Sequence, residues 1–278
     1  MKIVQVLQSR PTQDGDGVNI SRIADFSGQH LDPFLMIDEL KSDDQADYVG
    51  GFPPHPHRGI ETFTYMIKGG FKHQDQMGNK RVIASGDVQW MSTGFGVVHS
   101  EMPVMDEQGI HGFQIWLNMP AKDKLRPARY QDSVDTGLPV LTPESGVSLK
   151  ALAGSWQVAD EIITSPLSAL SASGAIADLN LAAGAKIDID RRDFQQLLVY
   201  IHTGEVAGYA AGHLLKVDPS QVMELSSTQG GGALIFSANK IEEKIAHYGS
   251  FVMNTEAQLR EAVEDYRAGK FGSLEIGG

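Results

Sequence analysis

The chain has no cysteine. That excludes disulfides, thiolate zinc sites, iron–sulfur clusters and cysteine nucleophiles together, so any metal must be held by His, Asp or Glu. Positive charge is also scarce. Lys and Arg number 23 against 35 Asp and Glu, a formal net charge of −12. Non-specific nucleic-acid binding depends on Lys and Arg neutralising phosphates, and no basic block offsets the average. Direct binding to DNA or RNA is not expected. No apolar run approaches the roughly 18–20 residues of a membrane span, so no membrane partner is expected. The apolar stretch at Met1–Arg10 is too short for a signal peptide and reads as a first strand; the expected location is cytoplasmic.

What is present is an ordinary globular composition, 41% apolar and 21% charged over 278 residues. At roughly 150 residues per domain, this length suits two domains. Glycine (30) and proline (12) are spread throughout and punctuate short apolar runs. Ile60–Ile67, Asp87–Met91 and Gly112–Leu117 have the β-branched and aromatic content of strands, which points to an all-β sandwich or barrel. One helix is expected at the C-terminus. Thr255 is its N-cap with Gln258 closing a capping box; Leu259, Ala262, Val263 and Tyr266 form one stripe that packs on the sandwich; Gly269 ends it.

The sequence also repeats weakly. Phe63–Gly69 resembles Leu198–Gly204 at an offset of 135, and Gly86–Gln89 resembles Ser220–Val222–Met223 at 134. Two copies of one β unit are expected, residues 1–134 and 135–278, joined through Ala121–Asp132, with an irregular loop-rich stretch over Glu144–Pro166. At the repeat offsets, His55, His57 and Glu61 correspond to Asp190, Arg192 and Gln196, and His99 and Glu101 to Ala233 and Ile235. The ligand types are lost, so the second copy is expected to be metal-free. His202, His213 and His247 lie off-register and are expected to be structural or exposed.

The chemistry concentrates in His55, His57, Glu61, His99 and Glu101. Residues two apart on a strand face the same way, so His55 and His57 can aim at one point, and Pro56 favours an extended His55. Glu61 has the same parity and would join them on a regular strand. His99 and Glu101 form a second such pair behind Gly94 and Gly96, and two adjacent antiparallel strands could gather all five. Imidazole and carboxylate without thiolate suit Fe, Mn, Ni, Cu or Zn. Three His and one carboxylate leave two positions of an octahedral ion open, enough for a chelating substrate or for substrate plus dioxygen. Trp90, Met91, Phe113 and Trp116 could line an apolar pocket beside the ion or pack in the core. His73 and His111 have no assigned role.

Phe52-Pro53-Pro54-His55-Pro56-His57-Arg58-Gly59-Ile60-Glu61-Thr62, then Gln89-Trp90-Met91-Ser92-Thr93-Gly94-Phe95-Gly96 running on to His99-Ser100-Glu101-Met102-Pro103, resemble the pirin family. His111–Pro120, Phe251–Thr255 and Asp265–Gly272 continue the likeness, while Gly137–Ala183 carries little of it. The resemblance implies a bicupin, two jelly-roll domains in tandem, with metal in the first only. Carried over, the ligands are His55, His57, His99 and Glu101; Glu61 becomes a neighbouring or pocket residue. The implied ion is Fe(II), with Mn, Ni, Co, Cu or Zn compatible. The implied activity is a 2,3-dioxygenase opening the central ring of flavonols such as quercetin, with Glu101 or Glu61 as the catalytic base. The alternative is a metal- or redox-dependent regulator that binds a transcription factor or metabolic enzyme without turnover.

Overall fold

The structure is a computed structural model that describes residues 1–26, 31–105 and 109–274. Its strands are antiparallel throughout the main sheets, and one α-helix, Glu256–Arg267, follows them. The all-β expectation therefore holds.

Two compact units divide the chain, and neither is contiguous. One comprises Met1–Arg10, His30–Pro33 and Thr136–Lys240; the other comprises Pro11–Gln29, Phe34–Asp135 and Ile241–Gly278. The first is built on a sheet that runs Ile3–Gln8, His213–Val217, Gln196–Val206, Gly231–Ala238, Ala175–Leu181, Val147–Ala153 and Val140–Leu141. Val147, Leu149, Ala151, Leu179, Leu197, Val199 and Ile235 are among its core residues. The Glu144–Pro166 stretch is thus not an irregular loop. Alternate residues of the stretch 147–151 are buried, Leu152 and Ala153 are buried after it, and Ser155–Val158 pairs with Glu161–Thr164 as a hairpin. Its polar alternate positions mask a strand that is apolar on one face only.

The second unit carries the candidate site. A seven-stranded sheet runs Arg129–Asp132, Val88–Ser92, Ile60–Lys68, Ile110–Asn118, Phe34–Ser42, Val18–Ala24 and Arg10–Asp14. A four-stranded sheet runs Phe52–His57, Val97–Pro103, Gly70–Asp75 and Lys80–Ala84. Val18, Ile20, Leu40, Met66, Phe71, Ile83 and Ile110 pack into one core. The expected connection at Ala121–Asp132 is instead part of this unit, because Arg129–Asp132 pairs with Val88–Ser92 as an edge strand.

The C-terminal helix forms as its sequence dictates. Thr255 Oγ1 accepts from the Gln258 amide at 3.2 Å, Gln258 Oε1 reaches back to the Asn254 amide at 3.1 Å, and Gly269 takes a positive φ of 73° past the end. Leu259 and Ala262 pack with Phe251, Met253, Val98 and Phe271, whereas Tyr266 stays partly exposed.

Candidate metal centre

The ligand candidates sit on neighbouring strands for local reasons. Phe52–His57 is the edge of the four-stranded sheet, where Pro53, Pro54 and Pro56 cost little because an edge can spare N–H groups. It pairs with Val97–Pro103 so that His99 lies opposite His55 and Val97 opposite His57. Directly paired residues share a face, with side chains close enough to touch. The three rings form a triangle with centroid separations of 4.8 Å (His55–His57), 4.4 Å (His55–His99) and 4.9 Å (His57–His99). One ring nitrogen from each lies within 4.8 Å of the others.

Electrostatics favour neutral rings at His57 and His99. Burial, then the neighbouring His55, pushes the pKa of His57 well below 6.5; burial, followed by His55, His57 and His73, does the same to His99. The Nδ1–H of His55 donates to the Pro53 carbonyl at 2.8 Å, which leaves Nε2 as the nitrogen on the side of His57 and His99 that can serve as a ligand atom. Both nitrogens of His57 and both of His99 are buried without a hydrogen-bond partner. Orphaned polar atoms in such number are costly, and convergent imidazole lone pairs are the donor set a transition-metal cation satisfies. The residues therefore fit the implied ion.

Glu101 is placed differently from the three histidines. Its carboxylate falls in a second group, with His73 and His99, so that His99 belongs to both. Glu101 Oε1 accepts from Thr64 Oγ1 at 3.0 Å and Gln89 Nε2 at 3.4 Å, and Oε2 accepts from Gln114 Nε2 at 3.1 Å. Every one of these donors is neutral.

Glu61 does not join either group. The strand of His55 and His57 stops at a turn through Arg58 and Gly59, where Gly59 takes a φ of 79° and its amide donates to the Gly94 carbonyl at 3.0 Å. Glu61 then lies on Ile60–Lys68 in the other sheet, opposite Ser92, and Oε1 accepts from Arg126 Nη2 at 3.2 Å. The parity argument failed because it assumed one unbroken strand.

A cavity of about 640 Å³ opens onto His55, His57, Glu101 and Gln114. An aromatic strip forms one wall. His247 stacks on Phe26 at 4.1 Å, Phe26 meets Trp116 edge-on at 6.5 Å, and Trp116 meets His57 edge-on at 5.1 Å. Farther out, Arg22 grips Asp38 through Nε and Nη2 at 2.9 and 2.7 Å and reaches Asp14 at 2.7 Å. Of the four proposed pocket residues, Trp116 lines this cavity, whereas Trp90, Met91 and Phe113 are buried in the interior.

Sequence reasoning missed several participants. His247 is exposed as expected, yet it also lines the cavity. Gln89, Gln114 and Thr64 look like ordinary strand residues until their partner is known. His73 carried a readable signal, because His73 and Asp75 are a third pair two residues apart on a strand. Gly70–Asp75 flanks Val97–Pro103 on its other side, with His73 opposite Glu101 and Asp75 opposite His99. In the other unit, the positions matched to His55 and His57 hold an exposed ion pair, Asp190–Arg192 at 2.6 Å, while buried His202 meets Asp178 at 3.0 Å.

The family pattern described as Pirin matches residues 18–117, and that described as Pirin C-terminal cupin domain matches residues 176–272. A Vibrio cholerae protein named "Putative quercetin 2,3-dioxygenase" is 44% identical over 97% of both chains. A Pseudomonas aeruginosa protein of the same name is 35% identical over 96% of both. The crystal structure of a quercetin 2,3-dioxygenase from Acinetobacter baumannii superposes with a TM-score of 0.87 at 29% identity, covering 98% of each chain.

Proposed function

Since this chain belongs to the pirin family and is built of two cupin domains, we propose that His55, His57, His99 and Glu101 hold one transition-metal ion, Fe(II) being our choice. We further propose that the adjoining cavity presents a flavonol-like aromatic for ring opening by dioxygen. The carrying observation is the triangle of imidazoles, two of them with every nitrogen unpartnered, with His55 and His57 lining a cavity that has an aromatic strip. Relatives and a structural neighbour named for quercetin 2,3-dioxygenation support the substrate class.

When bound, the ion would supply Lewis acidity toward adjacent substrate oxygens and a redox centre for dioxygen. The chain's own residues do the rest. Phe26, Trp116 and His247 offer faces and edges between which a flat ring system can be oriented, restricting its approach. Glu101 is the base for the flavonol 3-hydroxyl. Thr64 and Gln89 occupy Oε1, while Oε2 accepts from Gln114 alone among the described residues and is the oxygen of this cavity-lining residue with room for that proton. Glu61 is assigned no proton-transfer role, because Arg126 engages its carboxylate away from both groups of ligands.

The test is turnover of quercetin by protein loaded in turn with Fe, Mn, Ni, Co and Cu, followed by flavonol absorbance and oxygen uptake. Both signals should fall with at least one metal, and His57→Ala should abolish the loss. Absence of consumption with all five ions would remove this reading.

A further inference from the structure

We propose that His73 and Asp75 form a positioning pair for His99: Asp75 fixes the tautomer of His73, and His73 Nδ1 accepts the N–H of His99 that does not face the metal. The inference rests on the metal reading above.

A metal-bound imidazole retains one N–H, and that N–H ordinarily finds an acceptor that sets the ring's orientation. For His55, the Pro53 carbonyl fills the role at 2.8 Å. For His99, no such partner is in place, and both nitrogens are buried. The residue beside it is His73. Its ring centroid lies 5.5 Å from that of His99, and one nitrogen of each, with a Glu101 oxygen, fall within 4.8 Å of one another.

The chemistry of His73 makes it an acceptor. Its Nε2 lies 3.2 Å from Asp75 Oδ2. Asp75 is held in place by the amides of Met77 and Asn79 at 2.9 and 3.1 Å on Oδ1 and by Asn79 Nδ2 at 2.7 Å on Oδ2. An ionised carboxylate only accepts, so the Nε2 of His73 carries a proton and its Nδ1 is the nitrogen left to meet His99. That Nδ1 is itself buried and unpartnered. Tyr130 stacks on the His73 ring at 5.0 Å and 24°, which fixes its plane. Each ring thus keeps a buried nitrogen without a partner, and the two rings lie close enough for a small rotation or one water to join them.

The experiment measures Co(II) affinity by chelator competition, together with the visible absorption of the bound ion, and requires no turnover. His73→Phe keeps the stack on Tyr130 and removes the acceptor; affinity should fall by roughly 10–100-fold and the visible band should change. His73→Asn places its amide where Nδ1 lies and should restore affinity and band toward the wild type. His73→Gln places its amide where Nε2 lies and should behave like the Phe variant, so the Asn–Gln contrast stands even if the Phe variant fails to fold. Equal affinity in all the variants and the wild type would overturn the proposal. So would an Asn variant as weak as the Gln variant, because packing alone would then explain both. A wild type that binds no Co(II) would overturn the metal reading itself, an outcome distinct from either.

Discussion

At the residue scale, burial is what suits ordinary histidines to be ligands. His57 and His99 have their pKa values pushed well below 6.5 and offer lone pairs at neutral pH. The same shift sets an acid liability. Below pH 6.5 the unfolded chain takes up protons at these two rings, while the folded apoprotein does not. The unfolded state then binds more protons, so stability falls as pH falls through 6.5. The apoprotein should melt at a lower temperature at pH 5 than at pH 7, and a His57→Gln/His99→Gln double variant should show a flatter pH dependence. A double variant with the wild-type slope would place the acid sensitivity elsewhere.

At the element scale, the turn after His57 is held by a segment far away in sequence. The Arg58 carbonyl accepts from the Val252 amide at 3.0 Å, and Arg58 Nη2 meets Asp265 of the C-terminal helix at 2.8 Å. Phe95 and Phe271 cover the Arg58 guanidinium at 4.3 and 4.7 Å. Buried Lys124 donates to the carbonyls of Gly59 (2.7 Å) and Val252 (3.0 Å) and to Asn118 Oδ1 (2.6 Å). Burial pulls its pKa down to about 8. Lys124→Met would leave those acceptors unpaired and should cost about 2–4 kcal/mol in urea unfolding. Gly59 is fixed by geometry, because an added Cβ would come within 2.1 Å of the Val252 carbonyl oxygen at a positive φ. Gly59→Ala should destabilise the protein by at least about 1–3 kcal/mol and weaken metal binding through the displaced His57 strand. An unchanged midpoint in urea would contradict this account.

At the scale of the whole molecule, the two units exchange their ends: residues 1–10 belong with 136–240, and residues 241–278 belong with 11–135. The tail brings Phe251, Val252, Met253 and Leu259 into buried clusters of the unit with the candidate site and sets His247 and Ser250 in its cavity wall. A chain ending at Lys240 should therefore lose stoichiometric Co(II) binding while keeping the melting transition of the other unit. Wild-type Co(II) affinity in that shortened chain would refute the dependence.

The sequence by itself determined the all-β class, the capped C-terminal helix and the placing of His55 and His57 two apart on one strand, because each follows from spacing within one element. Only the tertiary structure decided what depends on where the chain turns. It moved Glu61 to the other sheet at Gly59, because a positive-φ turn resets the parity of every later residue. It set the His73 strand beside that of His99, gave Glu101 its three neutral donors and brought His247 to the cavity. These are contacts between segments tens to hundreds of residues apart, and a linear pattern carries no term for which distant strands become neighbours.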